Sequence, residues 1–195
     1  PNKDRRTLAA FDLEKKKILW EHPLLNTWST PVLYGATLYM GSEDGFVYAI
    51  DIETGETQWR FQTKRQVRSS PVISDNLLFI GSDDNHLYAL HIKTGKLIWS
   101  FETGGSILAA PAIADDAVYA VSYDQKLYCL DQLTGKLRWT FKAEGSLYAT
   151  PVVSSYRIFL GSNDRNMYCL DARTGQLFWR YETGGIIRGT PLPHG

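Results

Sequence analysis

The chain has 195 residues, 44% of them hydrophobic and 13% aromatic, with 21 Lys plus Arg against 21 Asp plus Glu. That is ample material for a core. The balanced charge offers no basic patch of the kind that nucleic acid or an anionic membrane surface selects. The longest apolar runs are about six residues, far short of the ~20 that a bilayer-spanning helix needs.

A repeat of 40 residues organises everything else. Pro31, Pro71, Pro111, Pro151 and Pro191 mark it, as do Trp59, Trp99, Trp139 and Trp179, and Tyr48, Tyr88, Tyr128 and Tyr168. Such self-similarity is the signature of stacked supersecondary units. In chain order, residues 1–26 read as the last two strands of a partial unit, because Ala10-Phe11-Asp12 and Trp20 match Ala49-Ile50-Asp51 and Trp59. Residues 27–66, 67–106, 107–146 and 147–186 are expected to be four complete units. Residues 187–195 are expected to begin a further one.

Within the unit from Pro71, the runs PVI, LLFIG, HLYALH and KLIWSFET are separated by SDN, SDDN and a turn on Thr94-Gly95. Four short apolar runs between turn clusters predict four antiparallel strands. No window sustains a 3.6-residue apolar period, so no helix is expected. The second strand is apolar on both faces and should lie mid-sheet. The fourth alternates and should be outermost. Leu97, Trp99 and Phe101 are expected on one packed face, and likewise Leu137, Trp139 and Phe141. A four-stranded sheet this small cannot cover its own faces. Copies stacked radially around a channel form a β-propeller, and four complete blades with two partial ones imply part of a seven- or eight-bladed wheel, one completed by a second copy, or a fifth blade merged from the two partial ones and short of one strand. A sandwich would not need Trp, Tyr and Pro at one interval.

The segment Ala49 to Trp59, AIDIETGETQW, fits A-x-D-x-x-T-G-x-x-x-W. On this pattern the chain resembles the pyrroloquinoline-quinone-type (PQQ-like) propeller repeats. That family includes quinoprotein alcohol dehydrogenases, a non-enzymatic lipoprotein of the outer-membrane assembly machine, and propellers appended to bacterial kinases. The WD-type pattern is rejected because Arg60, Ser100, Thr140 and Arg180 follow the Trp where Asp would be required. The copies vary. His91 stands in the Asp position, Cys129 and Cys169 replace Ala49 and Ala89, and Lys15-Lys16 replaces Thr-Gly. Physically, Asp should cap turn N–H groups while Gly55, Gly95, Gly135 and Gly175 supply positive φ. Trp59, Trp99, Trp139 and Trp179 should lie against the small residue and turn of a neighbouring blade. Lys16 should strain its turn by ~1 kcal/mol if the backbone is kept.

Candidate chemistry is sparse. Cys129 and Cys169 read as small buried fillers. The dehydrogenases of the resembled family carry an adjacent Cys-Cys pair, which is missing here. His22, His86, His91 and His194 show no metal-ligand spacing. Asp44, Asp84, Asp124 and Asp164 invite a calcium reading, but each follows a Ser at one repeat position and is expected to bond its own turn. The positions that break the repeat carry more information. Three residues before each Pro stand Trp28, Arg68, Leu108, Tyr148 and Arg188. Trp28, Arg68, Tyr148 and Arg188 are the candidate partner contacts, since aromatics and Arg dominate binding hot spots. The sequence therefore favours a non-catalytic protein-binding scaffold or sensor with neither PQQ nor calcium. It leans toward a bacterial periplasm or cell-envelope location. The alternative is a fragment of a PQQ-dependent quinoprotein dehydrogenase.

Overall fold

The computed structural model describes residues 7–24 and 26–192, so His194 and the end of the expected next blade lie outside the described residues. A two-stranded antiparallel hairpin comes first, β1 (Thr7–Asp12) and β2 (Lys17–Pro23). Four four-stranded antiparallel sheets follow. The first blade holds β3 (Val32–Tyr34), β4 (Thr37–Gly41), β5 (Phe46–Asp51) and β6 (Thr57–Gln62). The second holds β7 (Val72–Ser74), β8 (Leu77–Gly81), β9 (His86–His91) and β10 (Leu97–Glu102). The third holds β11 (Ala112–Ala114), β12 (Ala117–Val121), β13 (Lys126–Asp131) and β14 (Leu137–Lys142). The fourth holds β15 (Val152–Ser154), β16 (Arg157–Gly161), β17 (Asn166–Asp171) and β18 (Leu177–Glu182). Among the described residues there is no helix, and the chain is an all-β propeller segment.

Strand order in each blade follows the chain, as a meander must when connections are this short. The uninterrupted runs become the buried middle strands: every residue of β8 and β12 is buried. The first strands β7, β11 and β15 approach one another and so face the axis. Cores lie between blades. One cluster joins Phe79, Leu87 and Trp99 of the second blade to Val118, Ala120 and Tyr128 of the third.

The outer strands depart from simple alternation. A bulge between Leu97 and Trp99 pairs them with Leu90 and Ala89, and the third blade repeats this with Leu137 and Trp139 against Leu130 and Cys129. One inserted residue turns Leu97 and Leu137 outward, so both are exposed and neither joins Trp99 or Trp139 on the packed face. Counting alternation through the bulge is what misplaced them.

Candidate functional site

Two belts of repeated residues hold the blades in register. The outer belt is built by the indoles. Gly55, Gly95, Gly135 and Gly175 take φ of 75°, 65°, 69° and 72°. A Cβ on any of them would meet the ring of Trp20, Trp59, Trp99 or Trp139 of the preceding blade within 2.5–2.6 Å. Only glycine satisfies both demands. The indole Nε1 of Trp20, Trp59 and Trp99 donates to the backbone carbonyls of Ile52, Ile92 and Gln132 at 2.8, 2.9 and 3.0 Å. Each Trp thus reaches the neighbour's turn. The small residue is instead its cross-strand partner within its own blade: Ala49, Ala89, Cys129 and Cys169 pair with Trp59, Trp99, Trp139 and Trp179. The expectation that the ring meets the neighbour's small residue is corrected in that respect. Trp179, with no following blade among the described residues, is 43% exposed. The Asp residues cap as their chemistry dictates: Asp51 Oδ1 accepts from the N–H of Glu53 and Thr54, and Asp171 does the same for Arg173 and Thr174. Those bonds hold both carboxyls below the usual carboxylate range. Lys16 keeps the glycine geometry, at φ 51°.

The inner belt centres on Asp44, Asp84, Asp124 and Asp164. One oxygen of each accepts the N–H two residues on, closing its own turn. The other oxygen accepts the hydroxyl of Tyr48, Tyr88, Tyr128 or Tyr168. Asp84, Asp124 and Asp164 also receive the N–H of Lys64, Gly104 and Glu144, at 2.9, 2.8 and 3.0 Å, from the exit of the preceding blade. Each Asp is therefore an inter-blade tie as well as a turn cap. Burial, then the bond to Asp, pushes the Tyr48, Tyr128 and Tyr168 hydroxyls up to about 12, which keeps them donors.

The channel mouth is where the repeat breaks. Trp28, Arg68, Leu108, Tyr148 and Arg188, from five successive units, all line one cavity of about 220 Å³. Trp28 is 71% exposed. Arg68 is already paired, to Asp83 at 3.0 Å and Glu43 at 3.4 Å. Burial pushes the Asp83 carboxyl up, against the pull of that guanidinium. Arg188 lies 5.8 Å over the Tyr148 ring and donates to Asn163 Oδ1 at 3.4 Å. Tyr123 sets its edge against Tyr148, ring centroids 6.1 Å apart. Glu43, Asp83, Tyr123 and Asn163 were not singled out from the sequence. The signal was present, because all four occupy one variable position between a repeated Ser and a repeated Asp.

A calcium ion takes six to eight oxygen ligands. No group of three His, Cys, Asp or Glu converges among the described residues, and the four repeated Asp are each engaged in separate turns. Cys129 and Cys169 are buried free thiols on different blades.

Comparison with curated proteins gives no match. In fold the chain is similar to BamB from Moraxella catarrhalis, with a TM-score of 0.79 at 19% identity over 97% of this chain and 64% of that one. It is also similar to the computationally designed Ika8 protein, with a TM-score of 0.82 at 17% identity over 96% and 60%. The chain therefore spans less than two thirds of either protein, and these likenesses speak for the fold. The sequence profile of the family described as outer membrane protein assembly factor BamB matches residues 4–112, 43–146 and 104–194. With those matches overlapping almost end to end, the chain belongs to this family of PQQ-type propellers.

Proposed function

We propose that the chain is a non-catalytic protein-binding scaffold of the bacterial cell envelope, which captures a partner at its channel mouth and uses neither PQQ nor calcium. One observation carries this reading. The positions that differ from unit to unit, Trp28, Arg68, Leu108, Tyr148 and Arg188, converge on one cavity. Aromatics and Arg are the side chains that concentrate binding energy at protein interfaces. Family membership supports a place in outer-membrane protein assembly. Arg68 serves mainly to balance Glu43 and Asp83, so Trp28, Tyr148 and Arg188 are left to meet the partner. They suit a segment that presents one carboxylate beside an apolar side chain.

Immobilised wild-type chain and a Trp28→Ala/Arg188→Ala variant, each exposed to a cell-envelope extract, test the reading. Both residues are exposed, so the melting temperature should not move while the captured partner is lost. Undiminished capture refutes the contact set. Saturable micromolar binding of PQQ with calcium, followed by fluorescence, refutes the non-catalytic reading.

A further inference from the structure

At the other end of the first strands, the grooves between blades differ in one residue. The residue following the motif's Asp or His is Ile92, Gln132 or Ala172 in the second, third and fourth blades. Ile92 is buried in the core shared by the first and second blades. Gln132 spans its groove and donates to Ser74 Oγ of the second blade at 3.0 Å. Ala172 is buried in the core shared by the third and fourth blades, but its methyl group is too short to fill or span the groove. The groove between the third and fourth blades consequently stays open as a cavity of about 470 Å³, within the roughly 300–1,000 Å³ typical of small-molecule sites.

The opening has a polar rim and an apolar floor. Ala114, Ala117, Val153 and Ala172 line the apolar part, with Tyr119 and Cys129. Arg138 is fully engaged at the rim, by both Asp116 oxygens at 2.8 Å and by Asp131 at 2.7 Å. Two rim charges of opposite sign remain. Asp115 of the third blade has no ion-pair partner among the described residues. Arg173 of the fourth has none either, and lies 4.2 Å over the Tyr156 ring. The turn carrying Tyr156 is strained. At the equivalent turns one residue, Gly35, Asp75 or Asp115, takes positive φ. Here both Ser155 and Tyr156 do, at 49° and 61°. A bulky aromatic in that region is a true outlier, held there by its surroundings.

We propose that this groove binds a small zwitterion with an apolar body, a free amino acid, with its ammonium at Asp115, its carboxylate at Arg173 and its side chain against Ala117, Val153 and Ala172. The site is independent of the channel mouth. It is a binding site without covalent chemistry. Burial pushes the Cys129 thiol up to about 11, so the sulfur facing the cavity is not a nucleophile near neutral pH.

The test is a titration of the whole chain with L-phenylalanine, followed by the amide resonances of Ala117, Val153 and Ala172. Saturable shifts are expected. N-acetyl-L-phenylalanine and L-phenylalaninamide, each lacking one charge, should bind at least about tenfold more weakly, because a lost charged hydrogen bond is worth that much. Ala172→Ile, which installs the residue that fills the first groove, should abolish binding. Asp115→Asn, at the exposed rim, guards against a folding failure of that variant. It should weaken L-phenylalanine while leaving N-acetyl-L-phenylalanine unchanged. No saturation by about 10 mM, far weaker than ligands ordinarily bind such sites, overturns the proposal. So does equal binding of the capped forms, or retained binding by Ala172→Ile.

Discussion

The outer belt and the channel mouth are built from the same 40-residue unit and obey opposite rules. In the belt, Trp20, Trp59, Trp99 and Trp139 each lie on a glycine, or its turn, in the next blade, with almost no change from copy to copy. At the mouth, Trp28, Arg68, Leu108, Tyr148 and Arg188 occupy equivalent places and change in size and charge from unit to unit. Each belt contact buries an aromatic face, and those of Trp20, Trp59 and Trp99 also satisfy an indole N–H, so any departure costs stability in proportion to the area and bond lost. The mouth residues touch water, so variation there costs little and is available for recognition. The blade joints are periodic in this molecule; the mouth is aperiodic.

That contrast can be broken first at the belt. Gly135→Ala places a methyl 2.6 Å from the Trp99 ring on a backbone at φ 69°. Overpacking and the left-handed backbone together should cost about 3 kcal/mol, read as a fall in the urea midpoint at constant m-value. A loss below about 0.5 kcal/mol would mean that the ring is not held as described.

Acid should produce a smaller, graded effect. Arg138 hydrogen bonds hold Asp131 and Asp116 below the usual carboxylate range, and turn N–H groups do so for Asp51 and Asp171. A depressed folded-state pKa contributes stability that is complete above the unfolded value of 3.8 and is lost as pH falls through the folded value. Melting temperature should therefore decline from about pH 4 toward pH 2. Arg138→Met should flatten that decline. An identical acid profile for the variant would remove Asp116 and Asp131 from the explanation.

The smallest change expected is a gain. Lys16 holds φ 51° where every later copy has glycine. Lys16→Gly should relieve about 1 kcal/mol, seen as slower hydrogen exchange in β1 and β2. Unaltered exchange would show that the hairpin tolerates the lysine without strain.

Much of this was legible before any coordinates. The blade pattern follows from four apolar runs between turn clusters, and the capping by Asp51 and Asp171 follows from side-chain chemistry that needs only three or four residues of context. The mouth residues were found because a repeat makes deviations visible. What escaped depends on geometry that linear spacing does not carry. The bulges that expose Leu97 and Leu137 insert a residue without changing the repeat length. The inter-blade bond of Asp84, Asp124 and Asp164 comes from a chain segment 20 residues earlier. The pairing of Arg68 with Glu43 and Asp83 joins positions that only the packing of neighbouring blades brings together. The open groove at Ala172 is a missing side chain, and it becomes visible only when the grooves beside it are seen to be filled.

One measurement tests the central claim most directly: urea unfolding of Trp99→Ala beside Trp179→Ala. The two residues hold the same repeat position, one buried on Gly135 and the other 43% exposed. The first should cost about 3–5 kcal/mol, and the second less than about 1 kcal/mol. Equal losses would contradict the account, because the indole would then matter within its own blade and not for the joint between blades.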